Sequence, residues 1–246
     1  MVLAALALAP GLALGSFLNV VAARVPLRRS IVRPPSACMS CGHEIAWYDN
    51  VPVVSWLFLR GKCRNCGTGI PWRYPAVELV SGLLVAACVW KFGLHWEALV
   101  ASFFCLALVA VSATDLEHRL IPNRIVLPAA AVVLAGQTAV HPSPEWAIAA
   151  VAACAFLLAA ALIYPAGMGM GDVKLCLLLG AMLGRTVPVA LFVGMLAALV
   201  PGLYLLARHG SKARKMGIPL GPFLALGAVV ALFWGHPILH LWLHRG

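Results

Sequence analysis

Long apolar runs, separated by short polar loops, govern what this chain can fold into. They occupy about 2–22, 75–92, 97–114, 124–140, 146–164, 173–184, 187–207 and 218–240. Crossing about 30 Å of hydrocarbon takes a helix of roughly 20 residues, and every run but the sixth is of that order. The sixth reads as a partial or tilted span, so the count is eight or seven. In lipid the backbone must satisfy its own hydrogen bonds, which leaves helices or closed barrels. Barrel strands alternate apolar and polar residues, and these runs do not. With 63% hydrophobic and 11% charged residues, the expected fold is an all-α polytopic membrane protein of about eight transmembrane helices. The first run has no basic residue before it and no clear cleavage site after it. It therefore reads as a retained span rather than a removable signal.

One long polar segment, 23–74, interrupts the pattern. It is rich in Pro, Cys and Arg and lacks helical periodicity, which suggests a small extramembrane domain. The expected organisation is a first transmembrane helix (1–22), this domain (23–74) and a membrane core (75–246). Alternating the spans puts 23–74 and the loops 115–123, 165–172 and 208–217 on one face. Of the 18 Lys and Arg, all but Lys91, Arg185 and Arg245 fall on that face. Basic loops mark the cytoplasmic side, so the polar domain is expected there, with both termini outside. The net charge of +10 is explained by this loop bias, and no nucleic-acid partner is expected.

Asp115 and Asp172 are charges where an apolar chain should carry none, among only eight acidic residues. Asp115 ends one apolar run, and Asp172 follows Gly167-Met168-Gly169-Met170-Gly171 and precedes another. The span assignment puts both at the cytoplasmic level. Carboxylates at a membrane are costly and usually functional. Two of them, close enough to share a proton, can hydrolyse a peptide bond. The ionised member takes a proton from water and the protonated one polarises the carbonyl. Gly169 and Gly171 would let the backbone approach a substrate. Two plainer roles compete: Asp172 as N-cap of a helix starting at Val173, and Asp115 in an ion pair with Arg119. Asp49, in the polar segment, is a structural or substrate-contacting residue.

Cys38-x-x-Cys41 and Cys63-x-x-Cys66, 21 residues apart, have the spacing of a four-thiolate zinc site with no open position. Gly42 and Gly67 directly follow the pairs. A reducing cytoplasmic setting argues against disulfides, and bound metal would supply folding energy to a segment with little core. Cys88, Cys105, Cys154 and Cys176 lie in spans and read as apolar packing residues.

Taken in order, these motifs resemble the type IV prepilin leader peptidases that are also prepilin N-methyltransferases. The resemblance rests on Gly15-Ser16-Phe17-Leu18-Asn19-Val20, the cysteine quartet, Trp47-Tyr48-Asp49-Asn50-Val51-Pro52, and Trp72-Arg73-Tyr74-Pro75-x-Val77-Glu78. It continues in Asp115-Leu116-Glu117-His118-Arg119-Leu120-Ile121-Pro122-Asn123, Gly169-Met170-Gly171-Asp172-Val173-Lys174 and Pro219-Leu220-Gly221-Pro222-Phe223-Leu224-Ala225. It implies cleavage of the basic leader of a prepilin or pseudopilin after glycine at the cytoplasmic face, with Asp115 and Asp172 catalytic. It also implies N-methylation of the new terminus by S-adenosylmethionine, and the four cysteines fit that bifunctional bacterial branch. Cationic leaders would meet anionic membrane lipid beside the site.

Other matching residues have open roles. Glu78 either contacts the leader, assists methyl transfer, or caps its helix. Lys174 either acts on Asp172 or reaches lipid phosphate, the second being favoured. Gly15 and Asn19 read as a close helix contact with a hydrogen bond across it. There is no glycine-rich nucleotide loop, so the residues alone do not locate the methyl donor. Two alternatives remain open: a peptidase without methyl transfer, and a non-enzymatic membrane scaffold bearing a zinc knuckle.

Overall fold

The structure is a computed structural model, and it describes residues 1–164, 169–210 and 217–243. Gly167, Met168, Lys212, Arg214, Lys215 and Arg245, all used in the sequence reading, lie outside the described residues. The described chain is helical: α1 (Val2–Arg24), α2 (Val54–Phe58), α3 (Arg73–Phe92), α4 (Trp96–His118), α5 (Asn123–Val140), α6 (Glu145–Ile163), α7 (Met170–Leu183), α8 (Val187–His209) and α9 (Gly221–Leu243), with 3-10 turns at Trp47–Asn50 and Gly184–Thr186. Seven helical stretches are long and apolar enough to cross a membrane, one of them the 40-residue stretch of α7 and α8. Large apolar side chains such as Leu6, Leu83, Ile148 and Phe156 are exposed along these helices, as a lipid-facing surface requires. The chain divides into two compact units, Met1–Ala113 and Thr114–Gly246, with the cut inside α4.

In the first unit α1 packs on α3 through small residues. A Cβ on Gly11 would fall 2.9 Å from Gly82 Cα, and one on Gly15 would fall 2.7 Å from Glu78 Cα. The Gly11-x-x-x-Gly15 spacing gives the close backbone approach that replaces a hydrophobic driving force in lipid. Asn19 Nδ2 donates to Tyr74 O at 3.1 Å across the same pair of helices, so the close contact and cross-helix hydrogen bond read for Gly15 and Asn19 are present.

In the second unit α7 has 14 residues, about 21 Å of helix, and is short of a full span. Its start lies with Ile121, and its end meets the start of α6, where Glu145 Oε1 accepts the Arg185 N–H at 3.0 Å. The 3-10 turn at Gly184–Thr186, with Gly184 at φ +52°, reverses the chain. α8 then leads back, and α9 packs antiparallel to it, with Gly235 against Thr186 and Gly194 against Leu224. The 40-residue apolar stretch is therefore a hairpin. Gly180 packs directly on the backbone of Ala149 and Ala150, and buried Gln137 of α5 donates to Met182 O at 3.2 Å.

Candidate active site

Asp115 lies in the last turn of α4, inside the helix rather than after it. Hydropathy ends at the first charge, but helical hydrogen bonding continues to His118. Arg119 ends it at φ +51°, its N–H donating to Asp115 O at 2.9 Å, a left-handed cap. The Asp115 carboxylate is buried, and its Oδ2 accepts the backbone N–H of Gly221 at 2.9 Å. Its described hydrogen bond thus comes from the start of α9 and not from Arg119.

Asp172 is also buried. The helix expected from Val173 begins at Met170, with Gly169 as N-cap and no side-chain cap. Asp172 is therefore the third residue of α7 rather than its cap. Its Oδ2 lies against Gly169, where a Cβ would fall 3.2 Å away, at the positive end of the helix dipole. Among the described residues its Oδ1 has no hydrogen-bond partner, which leaves a buried acceptor open to substrate or water.

Two glycines bring these carboxylates to one end of the unit. A Cβ on Gly171 would fall 2.8 Å from Ile121 Cβ, and one on Gly221 would fall 2.8 Å from Asp115 Oδ2 and 3.3 Å from Ile121 Cδ1. Ile121 thus lies between the Asp172 turn and the Gly221 turn that holds Asp115. Lys174 Nζ donates to Asn123 Oδ1 at 3.1 Å, tying the start of α7 to that of α5. Asn123, Ile121 and Gly221 had no role assigned from sequence. A glycine at a helix start, in Pro219-Leu220-Gly221-Pro222, was the available signal, but its use depends on where Asp115 lies.

The cysteines form two near-identical knuckles in the first unit. Cys38 N–H donates to His43 O and Gly42 N–H to Cys38 O. Cys63 N–H donates to Thr68 O and Gly67 N–H to Cys63 O, all at 2.8 to 2.9 Å. Gly42 and Gly67 have φ +70° and +71°, a region that favours glycine. The four sulfurs lie within 4.8 Å of one another, a donor set that fits one tetrahedral structural zinc. The Thr68 hydroxyl and backbone N–H push the Cys66 thiol down to about 6, toward the thiolate a metal needs. Arg64 donates from Nε to Asp49 Oδ2 at 2.8 Å and from a terminal nitrogen to Oδ1 at 2.6 Å. This fork joins the 3-10 turn to the second knuckle, and its hydrogen bonds hold the Asp49 carboxyl below its ordinary value.

Glu78 sits in the second turn of α3, too deep to cap it. Its Oε2 accepts the Val53 N–H at 2.7 Å, holding Val53 at φ +62° where α2 begins. It thereby fastens the polar domain to the membrane helices of its own unit.

Known proteins match both halves of the chain. Residues 10–92 match the bacterial peptidase A24 N-terminal domain, and residues 102–203 match the type IV leader peptidase family. A prepilin leader peptidase/N-methyltransferase of Myxococcus xanthus is 43% identical over 209 residues, 80% of this chain and 62% of the relative. The Bacillus subtilis protein of the same name is 35% identical over 95% of both chains. That of Pseudomonas aeruginosa is 33% identical over 95% of this chain and 91% of its own. No solved structure matches the chain. Two family models that cover both halves, and relatives a third identical along nearly the whole length, lead to one conclusion: the chain belongs to the type IV leader peptidase family.

Proposed function

We infer that the chain is a membrane aspartic endopeptidase that removes the basic leader of a type IV prepilin or pseudopilin after glycine, and that it then N-methylates the new terminus. The observation that carries the cleavage reading is the buried pair Asp115 and Asp172 at one end of the second unit, with one oxygen of Asp172 unpartnered among the described residues. One carboxylate accepts a proton from water as the water oxygen attacks the scissile carbonyl. The other, protonated, donates to the carbonyl oxygen. The leaving amine takes a proton as the carbon–nitrogen bond breaks. Gly221 N–H holds Asp115 in place, and Asp172 lies in the first turn of its own helix.

In this reading the four cysteines hold a structural zinc, and the methyl donor is S-adenosylmethionine, which supplies an activated methyl carbon when bound. The cysteine knuckles and the aspartates face the cytoplasm, supported by the loop-charge bias. Basic leaders reach the site along anionic lipid.

The test is cleavage in liposomes of a prepilin with a Gly–Phe junction, followed by mass spectrometry. The parent should cut after glycine, and the product should gain one methyl. Cleavage that persists in both Asp115→Asn and Asp172→Asn would remove the aspartate reading. Cleavage without methyl transfer would leave a peptidase alone. A folded parent that cuts nothing would favour a scaffold.

A further inference from the structure

The short helix α2 carries an apolar face that none of the described residues covers. Leu57 is 62% and Phe58 83% exposed, and Val54, one turn before them, is exposed too. Positions i, i+3 and i+4 share one side of a helix. The other side holds the polar domain together. The Ser55 hydroxyl donates to Tyr48 O at 2.9 Å and accepts the Val51 N–H at 3.1 Å. Trp56 packs on Gly61, and its indole N–H donates to Ile70 O at 3.0 Å.

Two hydrogen bonds fix the level of this face along the membrane helices. With 20 residues, α3 is about 30 Å long, the thickness of the hydrocarbon, so its first turns lie at the lipid–water boundary. Glu78, in its second turn, accepts the N–H of Val53, the residue before α2. A helical side chain leans toward the helix start, which puts Val53 beside the first two turns of α3. Trp56 is tied to Ile70, three residues before α3 begins. Thus α2 lies along the start of α3 rather than out in the water. Trp72 marks the same level. It is 75% exposed and seven positions before Leu79, on the face that exposed Leu79 and Leu83 turn to lipid, and tryptophan favours the interface. Single exposed apolar side chains are ordinary, but three on one face at this depth call for a cover. The medium α3 faces at that level is lipid.

We propose that the α2 face docks the polar domain into the adjacent membrane leaflet, with Leu57 and Phe58 among the upper acyl chains and Arg60 and Lys62 on the phosphates of anionic lipid. Both basic side chains are exposed and directly follow the apolar turn, where Arg60 redirects the chain at φ +52°. Their long stems let the charges reach phosphate from a backbone that lies lower. Apolar burial and attraction to anionic headgroups act together in interfacial helices. A helix of five residues is a weak anchor by itself. Here α1 and α3 already tether the domain on both sides, so docking has only to set its orientation. The proposal depends on neither the cleavage nor the methylation reading.

The test uses the full-length protein in nanodiscs of mixed phosphatidylcholine and phosphatidylglycerol, with the photoreactive residue p-benzoylphenylalanine replacing Leu57, Phe58 or Met39 in separate samples. Met39 is an exposed apolar residue of the first knuckle and serves as the control. After irradiation, intact-protein mass spectrometry should show a one-lipid adduct at positions 57 and 58, and about tenfold less at 39. The phosphatidylglycerol fraction of the adducts should exceed its fraction of the bilayer by about threefold. That excess should vanish when Arg60→Gln and Lys62→Gln are added. Equal adducts at all three positions, or none at both 57 and 58, overturn the docking. Crosslinks from 57 and 58 to a second copy of the chain or to an added prepilin, in place of lipid, overturn it in favour of a protein-binding face. Adducts in the bilayer's own proportions overturn the part given to Arg60 and Lys62.

Discussion

At the scale of single residues, the aspartate site turns on who holds each carboxylate. Asp115 depends on one backbone N–H from Gly221, and Asp172 lies in the first turn of its own helix. Asp115→Asn and Asp172→Asn should each lower the cleavage rate by at least about 100-fold, with unchanged helicity by circular dichroism. Gly221→Ala is a subtler case, because its Cβ would fall 2.8 Å from Asp115 Oδ2. Displacing one carboxylate by a fraction of an ångström should cost about 10- to 100-fold in kcat, with KM nearly unchanged. The Asp49–Arg64 fork makes a separate prediction. Asp49 is held below its ordinary 3.8, so the fork's stabilising effect is complete above that pH and lost as pH falls through the lower folded value. Parent and Asp49→Asn should therefore differ in proteolytic resistance of the polar domain at neutral pH and converge only below about pH 3.8.

Among the elements, the knuckles and the glycine-packed helices carry the specificity. The two knuckles repeat the same turn, and each needs a glycine with positive φ. The polar domain around them has little apolar core, so metal is expected to supply much of its order. Purified protein should contain about one zinc per chain by elemental analysis. Cys41→Ser should lose that zinc and expose 23–72 to protease, with α3 still helical. In the membrane, Gly180 lies on the α6 backbone. Gly180→Leu should separate α6 from α7 and destabilise the protein by about 1–3 kcal/mol, read as a lower thermal midpoint in detergent.

For the molecule as a whole, sidedness is the property to test. Single cysteines at Ser40 and at Arg185, in an otherwise cysteine-free background, should be labelled from opposite sides of the membrane by an impermeant maleimide. Ser40 should react in inverted vesicles and Arg185 in intact spheroplasts. The opposite pattern would reverse the topology drawn from the loop charges. Arg185 is informative because it follows α7, the short helix. If α7 and α8 were one long rod, Arg185 would be inside the bilayer and would not react from either side.

Periodicity and composition by themselves determined that the chain is helical and membrane-spanning, because about 20 apolar residues in lipid have few other backbone solutions. They also determined the cysteine pairing into knuckles, since Cys-x-x-Cys-Gly is a local turn whose hydrogen bonds close within six residues. The aspartates could be picked out because charge in an apolar run is conspicuous. Only the tertiary structure decided their partners. Gly221 is 106 positions from Asp115, and no local pattern encodes a contact that depends on how α9 packs. Helix starts and ends were misjudged at Asp115 and Asp172 because hydropathy reports burial in lipid, whereas helix limits are set by hydrogen bonding and caps. The bond from the Val53 N–H to Glu78 was hidden too, because it exists only once α3 and the polar domain pack together.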